Sequence, residues 1–165
     1  MKTKLDEVFA NYINKIDHPI IAVETGCSFN WGEEFHPYIS TLNIVRSLIA
    51  PTNGILYSLD NDSEKIELCR YNMDKLGLGR YVSFMLGDSV DSLYRLPSNS
   101  VNFVWLDSSE DSDHACDEFS AVKLSLQEKH VICVDDYGCP NSVKWQKISE
   151  SIKNDFTEYR TFDTI

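Results

Sequence analysis

The stretch Ile20-Ile21-Ala22-Val23-Glu24-Thr25-Gly26-Cys27-Ser28 constrains the chain most: an apolar run that stops at an acid, a glycine and small polar residues. So short a run, with stop signals this close, predicts a strand feeding a tight turn. In an open α/β sheet, ligands bind outside the carboxyl ends of the strands where the strand order reverses, and a glycine there admits close approach to the backbone. A small-molecule site is therefore expected at Glu24 to Ser28.

Helical and strand patterns alternate along the chain. Leu5, Val8, Phe9, Tyr12, Ile13 and Ile16 recur at helical spacing and predict an amphipathic helix over 2–17, stopped by Asp17-His18-Pro19. After the opening strand comes a loop from Phe29 to Tyr38, with Trp31 and Phe35 expected to pack beneath it. Ser40 or Thr41 is expected to cap a helix whose stripe is Leu42, Val45, Leu48 and Ile49, ending before Pro51. Gly54 to Leu59 predicts a second strand, ending at Asp60. Asn61, with Glu64 three residues on, predicts the capped start of a helix with Ile66, Cys69, Met73 and Leu76 on one face.

Tyr81 to Leu86 predicts a third strand, closed by Gly87-Asp88-Ser89, and a short helix is expected around Asp91 to Leu96. Val101 to Leu106 predicts the fourth strand, ending at Asp107. A helix near Ala115 to Leu126 then leads to a fifth strand, His130 to Val134, ending at Asp135-Asp136. Trp145, Ile148, Ile152 and Phe156 give the last helix its buried face, and Glu158 to Asp163 predicts a sixth strand. Such alternation requires crossover connections and a mainly parallel sheet covered on both faces, a doubly wound α/β fold. The expected organisation is one domain over 1–165, with its core over 20–165.

Charge excludes one class of partner. The formal net charge is −11 and no basic run interrupts it, so binding to a nucleic-acid backbone is not expected. Five cysteines, an odd number without CxxC pairing, fit reduced thiols of a cytoplasmic protein rather than a disulfide frame or a zinc site. No long apolar segment at the N-terminus suggests a secretory signal or a membrane span.

The acids fall in a pattern. Glu24, Asp60, Asp107 and Asp135 end four of the first five strands, and Asp88 follows the third almost at once. In a parallel sheet those ends share one edge. An acid at a loop start is often only a helix cap, but five in succession point to a site.

Val-Glu-Thr-Gly at 23–26, Leu-Asp at 59–60, Gly-Asp-Ser at 87–89, Leu-Asp-Ser at 106–108 and Val-Asp-Asp-Tyr at 134–137 resemble the successive motifs of class I S-adenosylmethionine-dependent methyltransferases, a Rossmann-like family. The resemblance covers roughly residues 20 to 163. It implies that Glu24 and Gly26 line the methionine part of the cofactor, that Asp60 accepts hydrogen bonds from the ribose hydroxyls and that Asp88 with Ser89 sits by the adenine, with Thr25, Ser28, Asn61, Gly87 and Asp107 also cofactor-binding. The first loop departs from the family in having Gly26 and then no glycine until Gly32. Gly26 and Asp60 are also further apart than the roughly 20 residues of the dinucleotide fingerprint, an excess that the Phe29–Tyr38 loop accounts for.

A second cluster, Asp107, Asp135 and Asp136, offers oxygen ligands at adjacent strand ends and suits a hard cation such as Mg2+. It is similar to the pattern of cation-dependent small-molecule O-methyltransferases. By that resemblance the cation would lower the pKa of an acceptor hydroxyl, with Glu110 or His114 as the general base. His114 reads first as a surface or helix-cap residue and second as a base.

The family usually finishes with two antiparallel strands, of which Glu158 to Asp163 supplies one, so the last strand is expected to be shortened or missing. An open sheet edge would favour a homodimer. Two other readings stay open: a catalytically silent cofactor-binding or assembly module, and a nicotinamide-dependent oxidoreductase, whose glycine fingerprint is absent and which has no use for the three aspartates.

Overall fold

The computed structural model describes Phe9, residues 19–28, residues 40–135 and Ile148. The helix expected over 2–17, the 29–38 loop, the last helix and the strand at 158–163 lie outside these, except that Phe9 and Ile148 are buried helical positions.

Among the described residues, five strands form one parallel sheet in the order β3-β2-β1-β4-β5. They are β1 (Ile21–Thr25), β2 (Ile55–Asp60), β3 (Val82–Leu86), β4 (Val101–Leu106) and β5 (Leu126–Val134). The chain winds from β1 outward to β3, then returns to the other side of β1 for β4 and β5. The order therefore reverses between β1 and β4, where an open sheet forms a crevice.

Alternation along each strand divides the core in two, because successive side chains point to opposite faces. Ala22, Leu56 and Phe103 pack on one face with α1 (residues 40–52), α2 (Ser63–Lys75) and Phe9, whose ring meets Phe103 edge-on at 5.4 Å. Val23, Leu59, Val104 and Leu106 pack on the other with α3 (Ser89–Leu93), α4 (Ser112–Val122) and Ile148. Both faces are covered, as a doubly wound sheet requires. Among the described residues no helix is long and apolar enough to cross a membrane.

Several local expectations are corrected. Ser40 and Thr41 lie in the first turn of α1 with their hydroxyls on Glu24, rather than acting as an expected cap. That helix also runs through Pro51: a π turn over Val45–Ile49 reroutes the backbone bonds, and the Thr52 hydroxyl serves the Leu48 carbonyl at 2.9 Å. The cap of α2 is Asp62, not Asn61; its carboxylate accepts the N–H of Glu64 and of Lys65, which leaves Glu64 no capping-box role. Leu76 ends that helix exposed, and Asn72 takes a buried place on its inner face. The short helix begins at Ser89, capped by Asp88. Helix α4 stops at Val122, and β5 begins at Leu126, four residues before its expected start at His130.

Candidate functional site at the carboxyl edge of the sheet

The tips of the strands are stitched together by backbone bonds that continue beyond the sheet. Gly26 N–H donates to the Leu59 carbonyl at 2.8 Å, Gly87 to Asp60 at 3.0 Å, Asp107 to Thr25 at 3.0 Å and Asp135 to Leu106 at 3.1 Å. Gly26, Asp60, Gly87, Asp107 and Asp135 thus stand along one edge. At its centre Gly26 has a φ of +81°, and a Cβ there would collide with the Asp107 carbonyl. Only glycine lets the β1 turn lie against the β4 tip at the reversal of strand order.

Asp60 sits one strand away and is buried. One carboxylate oxygen accepts the Cys27 N–H at 3.0 Å and the other the Asp62 N–H at 2.8 Å. A carboxylate oxygen has two acceptor lone pairs, so among the described residues each keeps one open to a further donor. This donor-seeking pair fits a ribose diol. Asn61, expected beside it, is exposed.

Glu24 is fully enclosed. Its carboxylate accepts hydroxyls of Thr41 and Ser58 at 2.6 Å each and of Ser40 at 3.1 Å, joining β1, β2 and α1. Burial pushes its pKa up to about 7, against the lowering effect of those hydroxyls and with a further push from Asp60. The same Thr41 hydroxyl accepts the Ser28 N–H at 3.2 Å, so the buried acid also anchors the far end of the turn. Cys27, between them, is buried beside Cys69; the hydrogen bond to Cys69 and burial hold its thiol well above the usual range.

On the other face the structure gathers residues that local sequence patterns leave apart. Thr25 Oγ1 accepts the Asp107 N–H at 3.1 Å and donates to Glu118 at 3.2 Å. The other Glu118 oxygen accepts the Ser108 hydroxyl and lies 3.5 Å from His114 Nε2. His114 Nε2 is in turn 2.9 Å from Ser89 Oγ. Glu118 is 1% exposed, yet it was not among the expected site residues. Its signal was present: it falls on the α4 stripe of Ala115, Phe119 and Val122, where an acid must be buried. His114, expected as a base or cap, is half-buried within this network.

The remaining expected residues are dispersed. Asp88 is exposed and its carboxylate caps α3 through the Asp91 N–H at 3.0 Å. Glu110 is exposed in the turn before α4, whose cap is Asp111. Asp107 and Asp135 are half-buried on neighbouring tips, and Asp136 lies outside the described residues. Among the described residues no three His, Cys, Asp or Glu side chains form a metal-binding group, so the expected cluster is not assembled there; Asp107 and Asp135 stand on adjacent strand tips.

Solved structures share this fold. A precorrin-8w decarboxylase from Methanobacterium thermoautotrophicum superposes with a TM-score of 0.61 at 17% identity, over 93% of this chain and 69% of that one. A protein from Clostridium thermocellum, provisionally described as an rRNA-methylase, gives 0.67 at 15% identity, over 95% and 83%. The geranyl diphosphate C-methyltransferase of Streptomyces coelicolor A3(2), solved with Mg2+, geranyl diphosphate and S-adenosyl-L-homocysteine, gives 0.57 at 14% identity, over 90% and 53%. This chain thus spans about half the length of that enzyme. No curated protein matches the sequence. A family model described as a methyltransferase domain matches residues 39–137, from the start of α1 past the tip of β5. With that match over more than half of its length and the five-stranded parallel sheet around it, the chain belongs to the methyltransferase-domain family and has the class I fold.

Proposed function

We propose that the chain binds S-adenosylmethionine along the β2-β1-β4 tips and transfers its methyl group to a hydroxyl of a small molecule, assisted by a divalent cation. The observation that carries the cofactor assignment is Asp60: a buried carboxylate beside Gly26 that keeps an acceptor lone pair on each oxygen. Asp60 would take the ribose hydroxyls, and Gly26 would let the cofactor lie against the backbone. Glu24 supports the same turn through Thr41 and Ser28. Asp88 and Ser89, at the start of α3, would border the adenine.

When bound, S-adenosylmethionine would supply an electrophilic methyl on sulfur, leaving as the neutral thioether once the acceptor oxygen takes the methyl. Asp107 and Asp135 would hold the cation, which favours ionisation of the acceptor hydroxyl. Glu110 and His114 are the candidates to accept its proton. A C-methyltransferase shares the fold, which keeps carbon as the alternative acceptor.

Calorimetric titration with S-adenosylmethionine and S-adenosylhomocysteine, with and without Mg2+, tests the reading against Asp60→Asn. Micromolar binding that this variant weakens supports it, and absence of binding by the native chain overturns it. A silent module is the second reading, favoured by the three internal hydroxyl bonds that already occupy the Glu24 carboxylate; binding without turnover across an acceptor screen would support it.

A further inference from the structure

Glu118 occupies an unusual place beneath the crevice. Both of its oxygens act as acceptors, one from Thr25 and one from Ser108. The Thr25 oxygen already accepts the Asp107 N–H, which leaves its hydroxyl proton for Glu118. Acceptance at both oxygens is the pattern of an ionised carboxylate. Among the described residues, its remaining contact is the His114 imidazole at 3.5 Å, itself engaged with Ser89 at 2.9 Å. Among the described residues the carboxylate is thus met by two neutral hydroxyls and the His114 imidazole, with no guanidinium or ammonium beside it.

Its two hydroxyl partners sit at the two lips of the crevice. Thr25 immediately precedes Gly26, and Ser108 immediately follows Asp107. A charge 1% exposed acts through a medium of low dielectric, whereas water screens the half-buried Asp107. An ionised carboxylate there gives the crevice floor a negative potential, which attracts positive charge.

We propose that Glu118 is a specificity-determining residue that favours the cationic sulfonium of S-adenosylmethionine over the neutral thioether of S-adenosylhomocysteine. The proposal rests on the cofactor reading above and adds to it a residue and a direction of preference. Uncharged product loses the attraction that holds the charged cofactor, so the same carboxylate that aids loading also aids release.

The test is calorimetric titration of native protein and Glu118→Gln with three ligands: S-adenosylmethionine, S-adenosylhomocysteine and sinefungin, whose amine is cationic near the sulfonium position. Expected is a loss of about tenfold for the two cationic ligands and less than twofold for S-adenosylhomocysteine. Equal losses for all three would make Glu118 a structural tie only and overturn the proposal, as would no change. Ser108→Ala covers the case in which the buried variant does not fold. It removes one hydroxyl that partly neutralises the carboxylate and keeps the charge, so the ratio of S-adenosylmethionine to S-adenosylhomocysteine affinity should rise above its native value; a ratio that is unchanged or lower overturns the proposal. Native protein that binds none of the ligands overturns the cofactor reading itself, an outcome distinct from selective binding that ignores Glu118.

Discussion

The Asp60 carboxylate accepts the Cys27 N–H at 3.0 Å, so the acid at the tip of β2 fixes the turn that leaves β1. Its second oxygen holds the Asp62 N–H at 2.8 Å, and Asp62 caps α2. One side chain thus shapes the turn and starts the next helix, and in the proposed function it is also the ribose acceptor. Asp60→Ala should leave two backbone donors unpaired and cost about 2–4 kcal/mol in urea unfolding. Asp60→Asn keeps one acceptor oxygen and should cost about half as much while still weakening S-adenosylmethionine by roughly tenfold. If the two variants lose stability equally, the backbone bonds are not what the carboxylate contributes.

Glu24 makes stability depend on pH. Its folded pKa is raised from 4.5 to about 7, chiefly by burial. Between those values the folded chain holds a proton that the unfolded chain has released, so stability falls as pH rises through the window. The contribution is fully present below about pH 4.5 and lost above about pH 7, amounting to about 3 kcal/mol. Glu24→Gln retains the shape and removes the titration. The variant should gain on the native protein as pH rises from 5 to 8 in thermal melts, and parallel profiles would show that Glu24 does not titrate there.

Gly26 and Gly77 separate steric crowding from backbone strain. Both have positive φ, +81° and +70°, but a Cβ at Gly77 meets nothing within 4 Å, while one at Gly26 strikes the Asp107 backbone. Gly77→Ala should cost only about 1–2 kcal/mol, the strain of the left-handed conformation. Gly26→Ala adds overpacking of about 1–3 kcal/mol and moves the β1 turn off the β4 tip. It should therefore abolish cofactor binding, whereas Gly77→Ala leaves it intact; binding that survives in Gly26→Ala would remove this turn from the site.

What the sequence made legible was set by local patterns. Val101–Leu106 is a strand with the expected bounds because its apolar run is closed by Ser100 and Asp107. The sheet edge was legible because an acid ends nearly every run. Bonds between distant residues were not. Helix α4 ends early because Ser125 is held elsewhere: its carbonyl accepts the N–H of Ser100 at 2.8 Å and of Val101 at 2.9 Å. The continuation of α1 through Pro51 depends on a π turn that hydrophobic spacing does not encode. Ser58 and Glu118 escaped notice for a shared reason: each sits on a buried face, and only its partner, Glu24 for one and Thr25 for the other, explains why a polar group is there.

The cation proposal depends on Asp107 and Asp135, whose backbones join β4 and β5 to their neighbours at the tips. Two hard oxygen donors beside a crevice would leave most positions around Mg2+ to water and acceptor, the usual arrangement for that ion. If such a cation activates the acceptor, turnover should fall at least tenfold after chelation and return on titration with Mg2+. Asp135→Asn should shift the Mg2+ midpoint upward by at least tenfold, since one carboxylate charge is lost, while binding of S-adenosylmethionine stays near its native value because Asp60 and Gly26 are untouched. Asp107→Asn should raise the same midpoint and also perturb cofactor binding, because its main chain is bonded to Thr25. Turnover indifferent to chelation, with both variants active, would instead assign the two aspartates to orienting the acceptor directly through hydrogen bonds.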